Sequence, residues 1–198
     1  LTPPWKHLRM FDAIRQYGEL EIETLSDSEL RSTLCEYGVS FDANHYNRGL
    51  AIAELFDRVC QDKLIQPTFI LDYPKETTPL CKLHRQNEDL IERFELYVAG
   101  MELANAYTEL NDPLLQHEFL SGAFSQRPNT HVEIHPYDAD FVEALAHGMP
   151  PTGGLGVGID RLMMILTGKA SIKELILFPM LRREPLTWGK TDTTSHQT

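Results

Sequence analysis

Cysteine is scarce and scattered in this chain: Cys35, Cys60 and Cys81 are the only three, and no two form a Cys-x-x-Cys pair. That argues against a disulfide framework or a zinc ribbon and for buried, reduced thiols in a reducing, cytoplasmic compartment. Long apolar runs are absent as well. None approaches the ~18 residues needed to cross a bilayer, and the start shows no signal-peptide pattern. Positive charge is in short supply, 18 Lys and Arg against 29 Asp and Glu for a net charge of −11, so no broad electrostatic footprint for a nucleic-acid backbone is expected. If RNA is a substrate, most of its grip must come from residues outside this sequence. Internal repeats are missing too. What is there is 198 residues with 42% hydrophobic content, enough for one soluble domain with a substantial core. Leu1 rather than Met opens the chain, which suggests a piece of something longer; a processed terminus leaves the same mark.

Spacing gives the elements. Met10 to Tyr17 reads as a short amphipathic helix closed by Gly18. Ser26 to Tyr37 reads as a helix that opens on a Ser26-x-x-Glu29 capping box and has Gly38 beyond its end. Leu50 to Leu64 repeats Ile52, Phe56, Val59 and Cys60 at helical intervals. After Pro67 the character changes: Thr68 to Leu71 is a β-rich run ended by Asp72-Tyr73-Pro74, and Pro79 starts a polar loop through Asp89. Phe94 to Val98 and Leu103 to Leu110 read as antiparallel strands about a turn at Ala99-Gly100-Met101. Asp112 caps a helix that has Pro113 in its first turn, Gly122 to Pro136 is loop-like, and Asp138 to His147 is a helix striped by Phe141, Leu145 and Ala146. Leu162 to Leu166 forms an apolar helix ended by Gly168, and Ser171 with Glu174 is a second capping box. Helices mixed with antiparallel strand pairs, without βαβ rhythm, predict an α+β fold. Residues 1–65 form a helical segment, 66–182 carry the sheet, and 183–198 read as a polar, disordered tail.

The chemistry concentrates between Glu95 and Glu109. Glu95, Glu102, Asn105 and Glu109 fall in a segment whose apolar residues read as strand, and clustered carboxylates on a sheet call for a neutralising cation. Period-two alternation puts Asn105, Tyr107 and Glu109 on one face, a donor-acceptor, a ring wall and a charge suited to a small cationic ligand. The same alternation puts Glu102 on the opposite face, so it joins Asn105 only if a bulge lies between Glu102 and Ala104. The competing reading is a half-solvated sheet with Glu95 paired to Arg93 or a nearby Lys. Farther along, Gly153-Gly154-Leu155-Gly156-Val157-Gly158 matches neither the Walker loop nor the dinucleotide fingerprint. It describes a strand with one bare face, against which a flat group could lie. Arg161 follows where a guanidinium fork can meet a polyphosphate; its competing partner is Asp160 or another acidic neighbour.

Those residues are not anonymous as a set. Pro67-Thr68-Phe69-Ile70, Thr78-Pro79-Leu80, Glu92-Arg93-Phe94-Glu95, Asn105-Ala106-Tyr107-Thr108-Glu109-Leu110-Asn111-Asp112-Pro113 and the run from Gly148 to Arg161 closely resemble class II lysyl-tRNA synthetases, in order and spacing, across roughly Thr2 to Leu181. The Gly…Asp160-Arg161 stretch resembles motif 3 of class II synthetases generally; the Asn105 to Asp112 block is specific to the lysine enzymes. The resemblance implies a partial class II catalytic fold, an antiparallel sheet flanked by helices. It implies Glu95 and Glu102 as Mg²⁺ carboxylates at the ATP phosphates, and Asn105, Tyr107 and Glu109 as the lysine pocket with Glu109 facing the ammonium. It also implies Arg161 on the γ-phosphate, with Gly154, Gly156 and Gly158 as a floor under adenine and lysine. The activity implied is ATP-dependent formation of lysyl-adenylate and transfer to tRNA(Lys), by an enzyme that is a homodimer when intact.

The departures are specific. Family members usually carry an OB-fold anticodon domain, motif 1 at the dimer interface, and motif 2, whose arginine contacts the α-phosphate. No Phe-Arg-x-Glu occurs here, and Leu1 aligns just after motif 2. Cys81 and Met101 stand where Ala and Arg are expected. Three identities compete: a C-terminal ligase fragment incompetent by itself, a paralogue that lysylates elongation factor P, and a non-catalytic synthetase-derived binding or scaffold protein.

Overall fold

Alternating apolar and polar residues build the sheet on which the other elements are mounted. The computed structural model describes residues 1–39, 46–122 and 136–180. Most of the loop expected from Gly122 to Pro136, and the polar tail at 183–198, lie outside them. Among the described residues the sheet has six strands: β1 (Lys6–Arg9), β2 (Thr68–Pro74), β3 (Leu83–His84), β4 (Asn87–Val98), β5 (Met101–Thr108) and β6 (Gly153–Val157). Their order is β1-β2-β4-β5-β6, with β3 paired to β4 off that path. β1 runs parallel to β2 and every other pair is antiparallel. The α+β expectation holds. Residues 1–65 are not purely helical, however, because β1 joins them to the sheet.

Two further sequence expectations change. β2 does not stop at Asp72. Its register against β4 shifts between Leu71 and Tyr73, Asp72 takes a left-handed φ of 59°, and the strand continues to Pro74. The polar loop expected from Pro79 to Asp89 contains β3 and the start of β4. Asn87, Glu88 and Asp89 are exposed, so polar composition hid extended backbone.

The helices follow their caps. α1 (Met10–Ala13) passes into a π turn at Ile14–Gly18 and ends on Glu19 at φ 57°, one residue beyond the expected Gly18 stop. α2 (Asp27–Glu36) carries the full Ser26–Glu29 capping box. α3 (Arg48–Val59) starts two residues ahead of expectation because Asn47 caps it, accepting from the Leu50 N–H at 3.1 Å. α4 (Pro113–Ser121) is capped by Asp112 and α5 (Ala139–Ala146) by Asp138. Of the expected α5 stripe, Leu145 is buried while Phe141 and Ala146 are exposed. α6 (Ile159–Thr167) ends on Gly168 at φ 67°. Ser171 caps only a 3-10 turn, Ile172–Glu174, and Glu174 pairs with Lys169 at 3.0 Å instead of completing a box.

The two faces of the sheet are covered differently. Met10, Ile14, Leu30, Leu34, Leu55 and Phe56 bring α1, α2 and α3 onto the face that carries Ile70, Tyr73, Ile91 and Tyr97. On the other face Leu162 and Ile165 of α6 pack against Leu96, Val98, Leu103 and Ala104. Phe56 is fully buried, with its ring edge-on to Tyr97 at 5.6 Å. Phe56→Ala is expected to destabilise the fold by about 3–5 kcal/mol, through lost burial and a residual cavity. Urea unfolding monitored by circular dichroism measures it.

Candidate active site

A hairpin and a bulge assemble the candidate site. β4 and β5 are joined by Ala99 and Gly100, both left-handed at φ 54° and 76°, the conformation that a tight two-residue hairpin turn requires. Arg93 lies opposite Tyr107 and Glu95 opposite Asn105; then the register shifts, so that Leu96 pairs Ala104 while Tyr97 pairs Glu102. Leu103 is the extra residue, a bulge within the stretch where Glu102 needed a bulge or turn to join Asn105, and it returns Glu102 to the face of Glu95 and Asn105. That face and α3 enclose a cavity of about 610 Å³ whose lining includes Glu95, Glu102, Asn105, Tyr107 and Arg161. Glu109, Gly154, Gly156 and Gly158 do not line it. Gly154 and Gly156 lie on β6 opposite Tyr107 and Asn105, continuing the same face toward the sheet edge.

Glu95 is held hard. Its side chain is almost buried; Oε1 accepts from Arg93 Nη2 at 2.5 Å, and Oε2 accepts from the hydroxyls of Tyr73 and Tyr97, each at 2.7 Å. Burial and the adjacent Glu95 charge both push the two phenols well above their ordinary pKa, so they remain protonated donors. Glu102 is more open. Arg161 Nη1 donates to its backbone oxygen at 2.5 Å and its carboxylate at 3.2 Å. The partners read from sequence as bland alternatives are therefore present in part: Arg93 does pair with Glu95, and Arg161 pairs with Glu102 rather than Asp160. Both pairs nonetheless line the cavity. Gly158 precedes α6, its N–H donates to Leu103 O at 2.8 Å, and a Cβ there would sit 3.4 Å from Arg161 Cδ.

Glu109 contrasts with Glu95. Among the described residues its carboxylate has no hydrogen-bond or ion-pair partner, and burial alone raises its pKa. It rests on Gly154, where a Cβ would come within 2.0 Å of Glu109 Oε1. At Gly154 the bare face is thus the space that Glu109 occupies.

Glu95 and Glu102 are the residues that could hold a divalent cation. A carboxylate offers about four acceptor positions, and Glu95 uses three. What remains, with Glu102, suits a hard cation that draws most of its shell from water and phosphate. No group of three or more His, Cys, Asp or Glu among the described residues forms an all-protein metal cage. The residues present fit such an ion.

Sequence reasoning missed Tyr73, which reaches the site only through the register shift, and the α3 wall. Glu54 and Asp57 of α3 line the cavity from positions i and i+3, joined by Gln61 from the 3-10 turn that follows, a polar stripe beside the apolar one and the signal that could have exposed it. Gln61 Nε2 donates to Gly100 O at 3.3 Å, while the N–H groups of Ala99 and Gly100 donate to Ile65 O and Leu64 O at 2.9 and 3.0 Å. The helical segment thereby clamps the turn between Glu95 and Glu102.

With this geometry in place, the comparisons with known proteins are specific. The family described as class II tRNA synthetases (D, K and N) matches residues 1–182. The chain belongs to that family. It is 54% identical over 177 residues to a lysine–tRNA ligase of Sulfolobus acidocaldarius, covering 89% of this chain and 35% of that protein. Lysine–tRNA ligases of Saccharolobus solfataricus and Clostridium botulinum are 51% and 45% identical, with 90% and 93% of this chain and 36% and 37% of those proteins aligned. This synthetase chain therefore spans about a third of the length of these curated relatives.

One carboxyl of the synthetase cavity has an unusual titration. Asp57 lines the cavity from an exposed position on α3, and desolvation by the surrounding chain, then Glu95, Glu54 and Glu102, raise its pKa to about 7 against the opposing charge of Arg93. A folded-state pKa above the unfolded value of 3.8 means that the folded chain binds the extra proton between those limits. Stability is then fullest below pH 4 on this account and declines as pH rises through about 7. Asp57→Asn is expected to raise the melting temperature at pH 8 and to change it little at pH 4, a difference read from paired thermal melts.

Proposed function

We propose that this chain carries the motif 3 half of a lysine–tRNA ligase active site. The observation that carries the reading is Glu109: a half-buried carboxylate, without a partner among the described residues, seated on a glycine floor beside Tyr107 and Asn105. Such a group lowers its energy by receiving a cation, and the ε-ammonium of lysine supplies one. Tyr107 walls the aliphatic stem, and Asn105 completes the pocket. Gly156 keeps the face flat enough for the substrate, with Gly158 under the adenine.

Glu95 and Glu102 would hold Mg²⁺ with ATP, and that ion would supply positive charge against the phosphates. Arg161 exchanges its contact with Glu102 for the γ-phosphate. The lysine carboxylate oxygen bonds to the α-phosphorus, the α–β bridging bond breaks, and lysyl-adenylate and pyrophosphate result. Transfer to the terminal ribose of tRNA(Lys) follows. No protein nucleophile takes part; this chain contributes position and charge. Contacts to tRNA and the homodimer interface belong to regions that the longer relatives carry.

Calorimetry and ligand-observed NMR with lysine and a lysyl-adenylate analogue test the reading. The chain by itself is expected to bind both weakly and to catalyse no ATP–pyrophosphate exchange at an ordinary synthetase rate. Glu109→Gln is expected to lower lysine affinity roughly 10- to 100-fold, the scale of a hydrogen bond to a charged group, and to leave ATP binding intact. Lysine binding undiminished by that substitution sinks the assignment, and absence of lysine binding by the unsubstituted chain favours the non-catalytic alternative.

A further inference from the structure

Arg93 touches both halves of the cavity. Its Nη2 donates to Glu95 Oε1 at 2.5 Å, its Nε donates to Asn105 Oδ1 at 3.1 Å, and its guanidinium carbon stands 4.8 Å above the ring of Tyr73. The side chain is 15% exposed and lines the cavity. A guanidinium has donors only, so the Asn105 atom that meets it must be the amide oxygen. With that oxygen turned to Arg93, the amide is oriented so that its two N–H donors are the groups directed away from the guanidinium. The pocket thereby becomes polar in one sense: Asn105 donates and Glu109 accepts.

We propose that Arg93 is a positioning residue which, by holding Glu95 and Asn105 in one fork, fixes the Asn105 amide as a donor to the carboxylate of the bound amino acid. This rests on the lysine-site reading given above. Lysine at position 93 keeps a positive charge beside Glu95 but replaces the planar fork, stacked on Tyr73, with a compact point charge on a flexible stem. Asn105 is then free to turn its oxygen toward the cavity, where it repels a carboxylate. The ammonium site at Glu109 lies elsewhere on the face and does not depend on Arg93.

Lysine and cadaverine separate these effects, because cadaverine keeps both ammonium groups and lacks the carboxylate. In ligand-observed NMR titrations of the 198-residue chain, lysine is expected to bind more tightly than cadaverine. Arg93→Lys is expected to weaken lysine roughly tenfold, the scale of one hydrogen bond to a charged group, and to leave cadaverine unchanged. Equal losses for both ligands mean a merely structural role and overturn the inference, as does an unchanged affinity for lysine. Asn105→Asp supplies a second arm: it keeps an acceptor for Arg93 but replaces the donors with negative charge, so lysine is expected to weaken while cadaverine is held at least as tightly. Should circular dichroism show Arg93→Lys to be unfolded, that arm decides. An unsubstituted chain that binds lysine no better than cadaverine overturns this inference alone. One that binds neither overturns the ligase reading and this inference with it.

Discussion

A carboxylate in the middle of a sheet is the constraint around which this structure is arranged. Glu95 is 7% exposed, and an uncompensated charge at such a depth costs several kcal/mol. Three donors remove that cost, and each imposes a condition on the fold. Arg93 and Tyr97 are supplied by β4 itself, two residues to either side and on the same face. Tyr73 comes from β2, and only because the strand shifts register at Asp72. Tyr97 is in turn braced by Phe56 of α3, and Tyr73 forms the platform under Arg93. Core and candidate site are consequently one packing problem: the helices cover the sheet face that also carries its charge.

How much of this could be read from the residues depends on how far each interaction reaches along the chain. Asn105, Tyr107 and Glu109 were legible as one face because alternation is a local rule, and the need for a bulge before Asn105 followed from the same rule applied to Glu102. Its location at Leu103 is what places Glu102 in the cavity. The glycine run was legible as a bare face, but not the reason for the bareness, which is the Glu109 carboxylate lying on Gly154. Tyr73 was not legible: strand propensity fails at Asp72, and nothing local indicates that the chain resumes pairing after a left-handed residue. Polar Asn87 to Asp89 misled in the opposite direction, since the exposed start of β4, beyond β2 and paired with the two-residue β3, needs no apolar face. Arg93 and Glu95 showed a different limit. An ion pair and a binding site are not exclusive readings, because the same guanidinium that neutralises a carboxylate can also aim its neighbours.

The helical segment acquires a role by the same logic. Residues 10–64 first look like packing material, yet Gln61 and Leu64, with the adjoining Ile65, make three hydrogen bonds to the β4–β5 turn. A two-residue turn with both residues left-handed fixes the twist of its hairpin but not the hairpin's tilt against the rest of the fold. Anchoring Ala99 and Gly100 to Leu64, Ile65 and Gln61 supplies that tilt. The anchor therefore sets the distance between Glu95, before the turn, and Glu102, after it.

The balance of charge decides what such a cavity can accept. Glu54, Asp57, Glu95 and Glu102 line it against Arg93 and Arg161, and both guanidiniums are already engaged with carboxylates. A bare polyphosphate entering this space meets more negative charge than positive and must break an existing ion pair for each arginine it gains. A phosphate accompanied by a divalent cation would meet the opposite situation, because Glu95 and Glu102 could hold the cation while Arg161 turned to the phosphate. The same carboxylates that raise the pKa of Asp57 would be offset by an arriving cation, which favours cation-bearing ligands. Acidity that would repel a nucleic-acid backbone across the whole surface thus becomes, inside the cavity, a preference for ligands that bring positive charge with them.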